Sequence, residues 1–266
     1  MVQHKILIKY GGNAMVDTKT QSQIAVQLRR LKKAGHQIIL VHGGGPFINK
    51  SLARSHIKSD FHLGQRITSP EAFNEIQKTL VGEVNCSLVG ILNLKGLKAV
   101  GLSGRDGMLV KAKKLVPEDR FDLGRVGEVE SIDPSLIHVL TDNGFTPVVT
   151  CIADDQNGKG HNINGDNFAG ALAAAFQVDR FVLLTDVDGL YAEYPDPNSI
   201  ISYLRQPELA SQYQQNITGG MIPKIQACEA ALLKKVPKAV ILNGTKPEQL
   251  TDYLLENKPI GTTLTL

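Results

Sequence analysis

The amino-acid sequence predicts an α/β fold in which one mostly parallel sheet is covered by helices on both faces. Short apolar, β-branched runs alternate with stretches of helical period, and two of those runs end directly in glycine turns, Gly11-Gly12 and Gly43-Gly44-Gly45. Continuous apolar strands mark a sheet buried on both sides, and a strand, helix, strand order marks parallel connections.

Lys5-Ile-Leu-Ile-Lys-Tyr10 reads as the first strand, stopped by Gly11-Gly12. From about Lys19 to Ala34, Ile24, Leu28 and Leu31 recur at helical spacing, and Gly35 supplies the stop. Gln37 to Val41 is the second strand, broken by His42-Gly-Gly-Gly-Pro46 before another helix. Ser69-Pro70 opens a helical stretch that ends near Gly96, with Phe73, Ile76, Leu80, Val84, Leu88 and Ile91 on its repeating face. That is longer than the usual globular helix. Leu97 to Leu102, Met108 to Val116 and Arg125 to Ile132 read as extended, Pro134 to Asn143 as a helix, and Phe145 to Ile152 as one buried strand. Asp155 to Gly160 is a hairpin tip, Asp166 to Phe176 an alanine-rich helix, Arg180 to Thr185 a strand and Ala192 to Ser199 a loop. Gly219-Gly220 opens a helix from Met221 to Lys235, and Lys238 to Leu242, Pro247 to Leu255 and Thr262 to Leu266 follow as strand, helix and strand. No repeat or flexible linker interrupts this order, so any two lobes share one sheet.

The 266 residues suffice for a substantial core, and 42% hydrophobic with 21% charged residues is ordinary globular composition. A net charge of +3, with lysines and arginines scattered along the chain, excludes a nucleic-acid footprint. No stretch approaches the roughly 18 apolar residues of a membrane span, and no apolar signal segment precedes Lys5. Cys86, Cys151 and Cys228 are odd in number and set in apolar segments, which reads as buried thiols in a reducing compartment, the cytoplasm.

Glycines after a strand let the backbone approach a ligand and aim its N–H groups at an anion, and the next helix adds its positive end. Gly11, Gly12, Gly44 and Gly45 are therefore candidates for phosphate or carboxylate binding. Lys9, at the carboxyl end of the first strand, projects toward the crevice where open α/β sheets hold ligands. Neither GxxxxGK[ST] nor a GxGxxG after a strand is present, and the HGGG turn, which also occurs in esterases, has no GxSxG nucleophile beside it. Asp166 begins a helix after His161-Asn-Ile-Asn-Gly165; it suits an N-cap, or, beside Asn162 and Asn164, the holding of an ammonium group. Lys224 lies in the first turn of a helix, where the macrodipole disfavours a cation unless an anion sits between them. Thr185-Asp-Val-Asp-Gly-Leu190 fits either an acidic metal loop or a plain turn.

Taken in order, Ile8-Lys-Tyr-Gly-Gly12, His42-Gly-Gly-Gly-Pro46, Gly101-Leu-Ser-Gly-Arg-Asp-Gly107, Val126-Gly-Glu-Val129, Asn162-Ile-Asn-Gly-Asp166, Leu184-Thr-Asp-Val-Asp-Gly-Leu190 and Gly219-Gly-Met-Ile-Pro-Lys224 resemble the amino acid kinase family. The resemblance runs from about residue 5 to 266. It implies a three-layer αβα sandwich around a roughly eight-stranded sheet. Residues 1–178 would form an acceptor-binding and dimerising lobe and residues 179–266 an ATP lobe. It further implies transfer of the γ-phosphate of ATP, with Mg²⁺ held mainly by phosphate oxygens, to the side-chain carboxylate of N-acetyl-L-glutamate.

By the same resemblance, Lys9 and Lys224 stabilise the transferring group and Asp166 holds both lysines. Gly12, Gly44 and Gly45 donate N–H groups to the phosphoryl and the reacting carboxylate, and Arg66 and Asn162 grip the α-carboxylate. Asp186 and its loop through Gly189, with Gly11, Gly220 and Met221, line the nucleotide site. Gly165 stands where the family pattern leads us to expect alanine. The helix from about Pro70 to Leu94 resembles the family's homodimer interface. Arginine-inhibited members carry an extra N-terminal helix, and with only Met1 to His4 before the first strand, insensitivity to arginine and no hexameric ring are expected. The alternatives are another member of the family, such as an aminoadipate-derivative kinase or a carbamate kinase, or a non-catalytic amino-acid or nucleotide sensor.

Overall fold

The computed structural model describes residues 3–212, 217 and 219–266. In chain order its elements are β1 Lys5–Tyr10, α1 Thr18–Lys33, β2 Gln37–His42, α2 Gly45–Arg54, β3 Phe61–His62, β4 Gln65–Arg66, α3 Pro70–Gln77, a π-helical stretch Lys78–Asn85 and α4 Cys86–Leu94. Then come β5 Ala99–Ser103, β6 Val110–Lys114, β7 Val126–Ile132, α5 Ser135–Asp142, β8 Thr146–Thr150, β9 Ile152–Asp154, β10 Gly160–Ile163 and α6 Gly165–Ala175. The chain ends through β11 Arg180–Thr185, β12 Tyr203–Arg205, α7 Gln206–Gln212, α8 Met221–Leu233, β13 Ala239–Asn243, α9 Gln249–Leu254 and β14 Thr262–Thr265.

The central sheet has eight strands in the order β12-β14-β13-β11-β1-β2-β8-β5. Every neighbouring pair runs parallel except β13 and β14. The expected mostly parallel, eight-stranded sheet is present, and β11 pairs directly with β1, so sequence-distant halves of the chain share it.

Because side chains alternate across a strand, each central strand feeds two cores. Leu7, Ile39, Val41, Phe181 and Leu183 join the core that contains Phe168 and Leu172 of α6 and Ile225 and Leu232 of α8. Ile6, Ile8, Ile38, Leu40, Val182 and Leu184 join the opposite core with Ile24 and Leu28 of α1. Lys9 keeps the register of Leu7, so its side chain emerges on the face covered by α6 and α8. The chemistry below depends on that parity.

Three readings are corrected. Phe145 to Ile152 is not one strand: β8 belongs to the central sheet, whereas β9 belongs to a small closed sheet in the order β10-β7-β6-β9. An apolar run cannot show where the chain changes partners, and the break falls at Cys151, whose carbonyl accepts from Ile163 N at 3.0 Å. The Asp166 N-cap reading also fails, because Asn164 caps α6, its Oδ1 accepting from Asp166 N at 2.9 Å and Asn167 N at 3.2 Å. Cys151 and Cys228 are buried, but Cys86 is exposed on the outer side of the long helix. The short strands β3, β4 and β12 and helix α7 have too few residues to show a period. The long helix is continuous from Pro70 to Leu94, with Ser69 Oγ accepting from Ala72 N at its start and the π-helical stretch in its middle.

Candidate active site

Three charged side chains from three elements converge above the carboxyl end of β1. Lys9 Nζ lies 2.7 Å from Asp166 Oδ1, and Lys224 Nζ donates to Asp166 Oδ2 at 3.0 Å. Asn164 occupies the cap of α6, which leaves the carboxylate of Asp166, the second residue of the helix, free to bridge the two ammonium groups. Lys9 and Asp166 are only 6% and 5% exposed, so the cluster lies where water screens poorly. Burial pushes the Asp166 carboxyl upward, but the neighbouring Lys9 and Lys224 ammoniums outweigh it and hold the group below the ordinary carboxylate range. At neutral pH the triad carries two positive charges and one negative, a net attraction for an anion.

Lys224 stands where two cavities adjoin. The first, about 250 Å³, is lined by Lys9, Gly12, Gly44, Gly45, Arg66, Asn162 and Asp166 as well as Lys224. The second, about 290 Å³, is lined by Asp186, Gly189, Gly220, Met221 and again Lys224. Every candidate residue from the sequence thus borders one of the two, except Gly11. Gly11 serves differently, since a Cβ there would fall 2.5 Å from Lys9 Nζ; its missing side chain leaves room for the ammonium. At Gly165 a Cβ would meet its nearest neighbour, Lys9 Cε, at 3.6 Å, so alanine fits there without strain.

In the first cavity, Arg66 is held from three sides. Its Nη2 donates to Asn49 Oδ1 at 2.6 Å, its Nη1 donates to Ser59 Oγ, and the guanidinium sits 4.6 Å from the Phe61 ring centroid. Cys151 lines the same cavity, and burial pushes its thiol up to about 11, which keeps it protonated. In the second cavity, Asn13 Nδ2 donates to Asp186 Oδ2 at 2.8 Å, tying the first glycine turn to the loop after β11. Asp188 turns elsewhere, accepting from Lys246 Nζ at 2.7 Å and Asn243 Nδ2 at 2.9 Å, so the loop's two carboxylates do not converge on one point. Tyr191 and Tyr194, edge to face at 5.4 Å, add an aromatic wall.

Sequence reading missed Asn13, Asn49, Ser59 and the two tyrosines. Asn13 follows Gly12 directly and had a signal in that position; the others belong to loops and a helix whose partners are set only by the tertiary fold.

This site, with two lysines on one aspartate and glycine turns at strand ends, fits the anion-handling transferases of the parallel α/β type. The model of the amino acid kinase family matches residues 4–243, and the chain belongs to that family. Acetylglutamate kinase of Corynebacterium urealyticum is 40% identical over 97% of this chain and 85% of its own length. Among solved structures, smu.665 from Streptococcus mutans matches with a TM-score of 0.81 and 27% identity over 98% of both chains. N-acetylglutamate synthase from Neisseria gonorrhoeae, complexed with coenzyme A and N-acetyl-glutamate, matches 99% of this chain and 59% of its own with a TM-score of 0.85 and 21% identity, a likeness of fold.

Proposed function

We infer that this chain transfers the γ-phosphoryl group of ATP to the side-chain carboxylate of N-acetyl-L-glutamate, forming N-acetyl-L-glutamyl 5-phosphate, a step of arginine biosynthesis. The observation that carries the chemistry is the Lys9-Asp166-Lys224 cluster at the junction of two cavities. The 40% identity to a curated acetylglutamate kinase supports the choice of acceptor.

A carboxylate is already a nucleophile and needs no general base. The obstacle is bringing two anions together: one pair of like charges at 4 Å costs about 4 kcal/mol at an effective dielectric near 20. Fixed cations and N–H donors offset that repulsion, and they favour the in-line transition state in which charge spreads over the phosphoryl oxygens. In this reading Lys9 and Lys224 face the transferring group, with Asp166 fixing both. The N–H groups of Gly12, Gly44 and Gly45 point at the phosphoryl and the acceptor, and Arg66 and Asn162 take the α-carboxylate. Asp186, Gly189, Gly220 and Met221 border the nucleotide.

Residues 1–178 then form the acceptor lobe and 179–266 the nucleotide lobe, a division supported by the first cavity's lining, which apart from Lys224 comes from residues 9–166. Mg²⁺ enters with ATP, held mainly by phosphate oxygens. We place the protein in the cytoplasm, a reducing compartment that suits the free thiols Cys86, Cys151 and Cys228.

The test is an assay of ADP release with Mg·ATP and N-acetyl-L-glutamate, glutamate, an N-acylated aminoadipate or carbamate as acceptor, with hydroxylamine to trap the acyl phosphate. N-acetyl-L-glutamate is expected to give the highest kcat/KM and a hydroxamate. Faster turnover of another acceptor would move the chain to a different activity of the family, and no transfer to any would favour the sensor.

We also propose a homodimer through the long helix, whose outer side exposes Val81 and Cys86 beside a groove of about 260 Å³. Light scattering is expected to give twice the chain mass of 28.9 kDa; a monomer mass would leave the helix to core packing alone.

A further inference from the structure

His42 ends β2 with no exposed surface, directly before the glycine turn that borders the acceptor cavity. Its Nε2 lies 2.8 Å from Asn85 Nδ2, and its Nδ1 lies 2.9 Å from the Gly43 carbonyl. The same Asn85 Nδ2 is 2.9 Å from the Val148 carbonyl, which can only accept, so the amide presents its NH₂ to both partners. An NH₂ group cannot accept. The His42 Nε2 must therefore accept from Asn85, and the ring proton sits on Nδ1, donating to Gly43. Burial, with Lys9 adding to it, lowers the His42 pKa to about 4, so the ring is neutral at pH 7.

The peptide that joins Gly43 to Gly44 is planar and trans, so its C=O and N–H point in opposite directions. Fixing the Gly43 carbonyl against the buried ring turns the Gly44 N–H the other way, on the side of the cavity that Gly44 lines. The brace comes from the π-helical stretch Lys78–Asn85: Asn85 closes it, and Leu80 packs where a Cβ on Gly44 would fall 2.7 Å from Leu80 Cδ2. Gly101 on β5 leaves the space that the Asn85 amide occupies, since a Cβ there would overlap it. Such π-helical insertions recur at functional sites.

We propose that Asn85 and His42 are positioning residues for phosphoryl transfer: Asn85 selects the Nδ1–H tautomer of His42, and that tautomer clamps the Gly43-Gly44 peptide with the Gly44 N–H aimed at the reacting oxygens. The inference rests on the reading of Gly44 as a donor. Neither residue lines the acceptor cavity.

The test combines spectroscopy of the intact chain with kinetics. ¹⁵N spectra of the histidine rings, with the His42 signal assigned by its loss in His42→Asn, are expected to show a neutral Nδ1–H tautomer at pH 7; an Nε2–H tautomer overturns the proposal. His42→Leu removes the donor to Gly43, and kcat with N-acetyl-L-glutamate is expected to fall about ten- to a hundredfold, by analogy with the loss of a hydrogen bond that orients a metal ligand, with the KM for ATP unchanged. His42→Asn, whose amide nitrogen can take the place of Nδ1, is expected to recover most of that loss. A folded His42→Leu with wild-type kcat, or two variants impaired equally, overturns the inference alone. A wild-type chain that transfers no phosphoryl group overturns the reading of the site, and this inference with it.

Discussion

Asp166→Asn is expected to lower stability by about 3–5 kcal/mol and to reduce kcat to near background, because it leaves two poorly hydrated ammonium groups facing each other without a counter-charge. In the wild-type protein the carboxylate is 2.7 Å from one lysine and 3.0 Å from the other. Removing one partner of a buried ion pair costs more than the pair contributes, since the remaining charges keep their desolvation penalty. The pH dependence follows from linkage. The folded-state pKa of Asp166 lies below its ordinary value of 3.8, so the unfolded chain binds the proton more readily. Its stabilisation is therefore fully present above about pH 4 and lost as the pH falls through the lower folded value. Chemical denaturation at pH 7 and pH 3 is expected to show a large gap between wild type and variant at pH 7 that narrows at pH 3. ATP brings its own negative charge, so saturating Mg·ATP is expected to raise the variant's midpoint more than the wild type's. A gap independent of pH and nucleotide would show that Asp166 acts through packing and not through charge.

The fold was legible wherever one strand carried its whole message locally. Lys5–Tyr10, Gln37–His42 and Arg180–Thr185 are continuous apolar runs bounded by turns, and each is a central strand. The two lysines of the cluster were legible for a different reason: Lys9 ends a strand before glycines, and Lys224 sits where a helix dipole disfavours it. The first is a matter of place, at the crevice of a parallel sheet, and the second a local conflict that a bound anion would relieve. The Asp166 bridge was half legible: the residues left Asp166 open between an N-cap and the holding of an ammonium group, and only the fold, which puts Asn164 at the cap and Lys9 on the face covered by α6, decides between them. The change of sheet at Cys151 and the Asn85-His42 contact lie beyond any local signal. They join residues whose spacing, 43 positions in the second case, is fixed by the sheet order.

Lys9→Ala and Lys224→Ala are each expected to lower kcat about 100- to 1,000-fold, the loss that follows removal of one preorganised transition-state donor. The effect belongs in kcat because charge accumulates on the phosphoryl oxygens during transfer, while the proposed reading gives the α-carboxylate to Arg66 and Asn162, so the KM for N-acetyl-L-glutamate is expected to change little. The two sites differ in what they tolerate. Lys9 lies over Gly11, where even a Cβ would come within 2.5 Å of its ammonium, so Lys9→Arg is expected to fail as completely as alanine. Lys224 sits at the more open junction, its side chain 17% exposed against 8% for Lys9, and Lys224→Arg is expected to keep part of the rate. Because the proposed mechanism sets both ammoniums on one migrating group, the double variant is expected to lose less than the product of the single losses. Steady-state kinetics on the three alanine variants measures this directly: near-normal kcat for either single variant removes that lysine from the mechanism, and strict multiplicativity shows that the two act on separate steps.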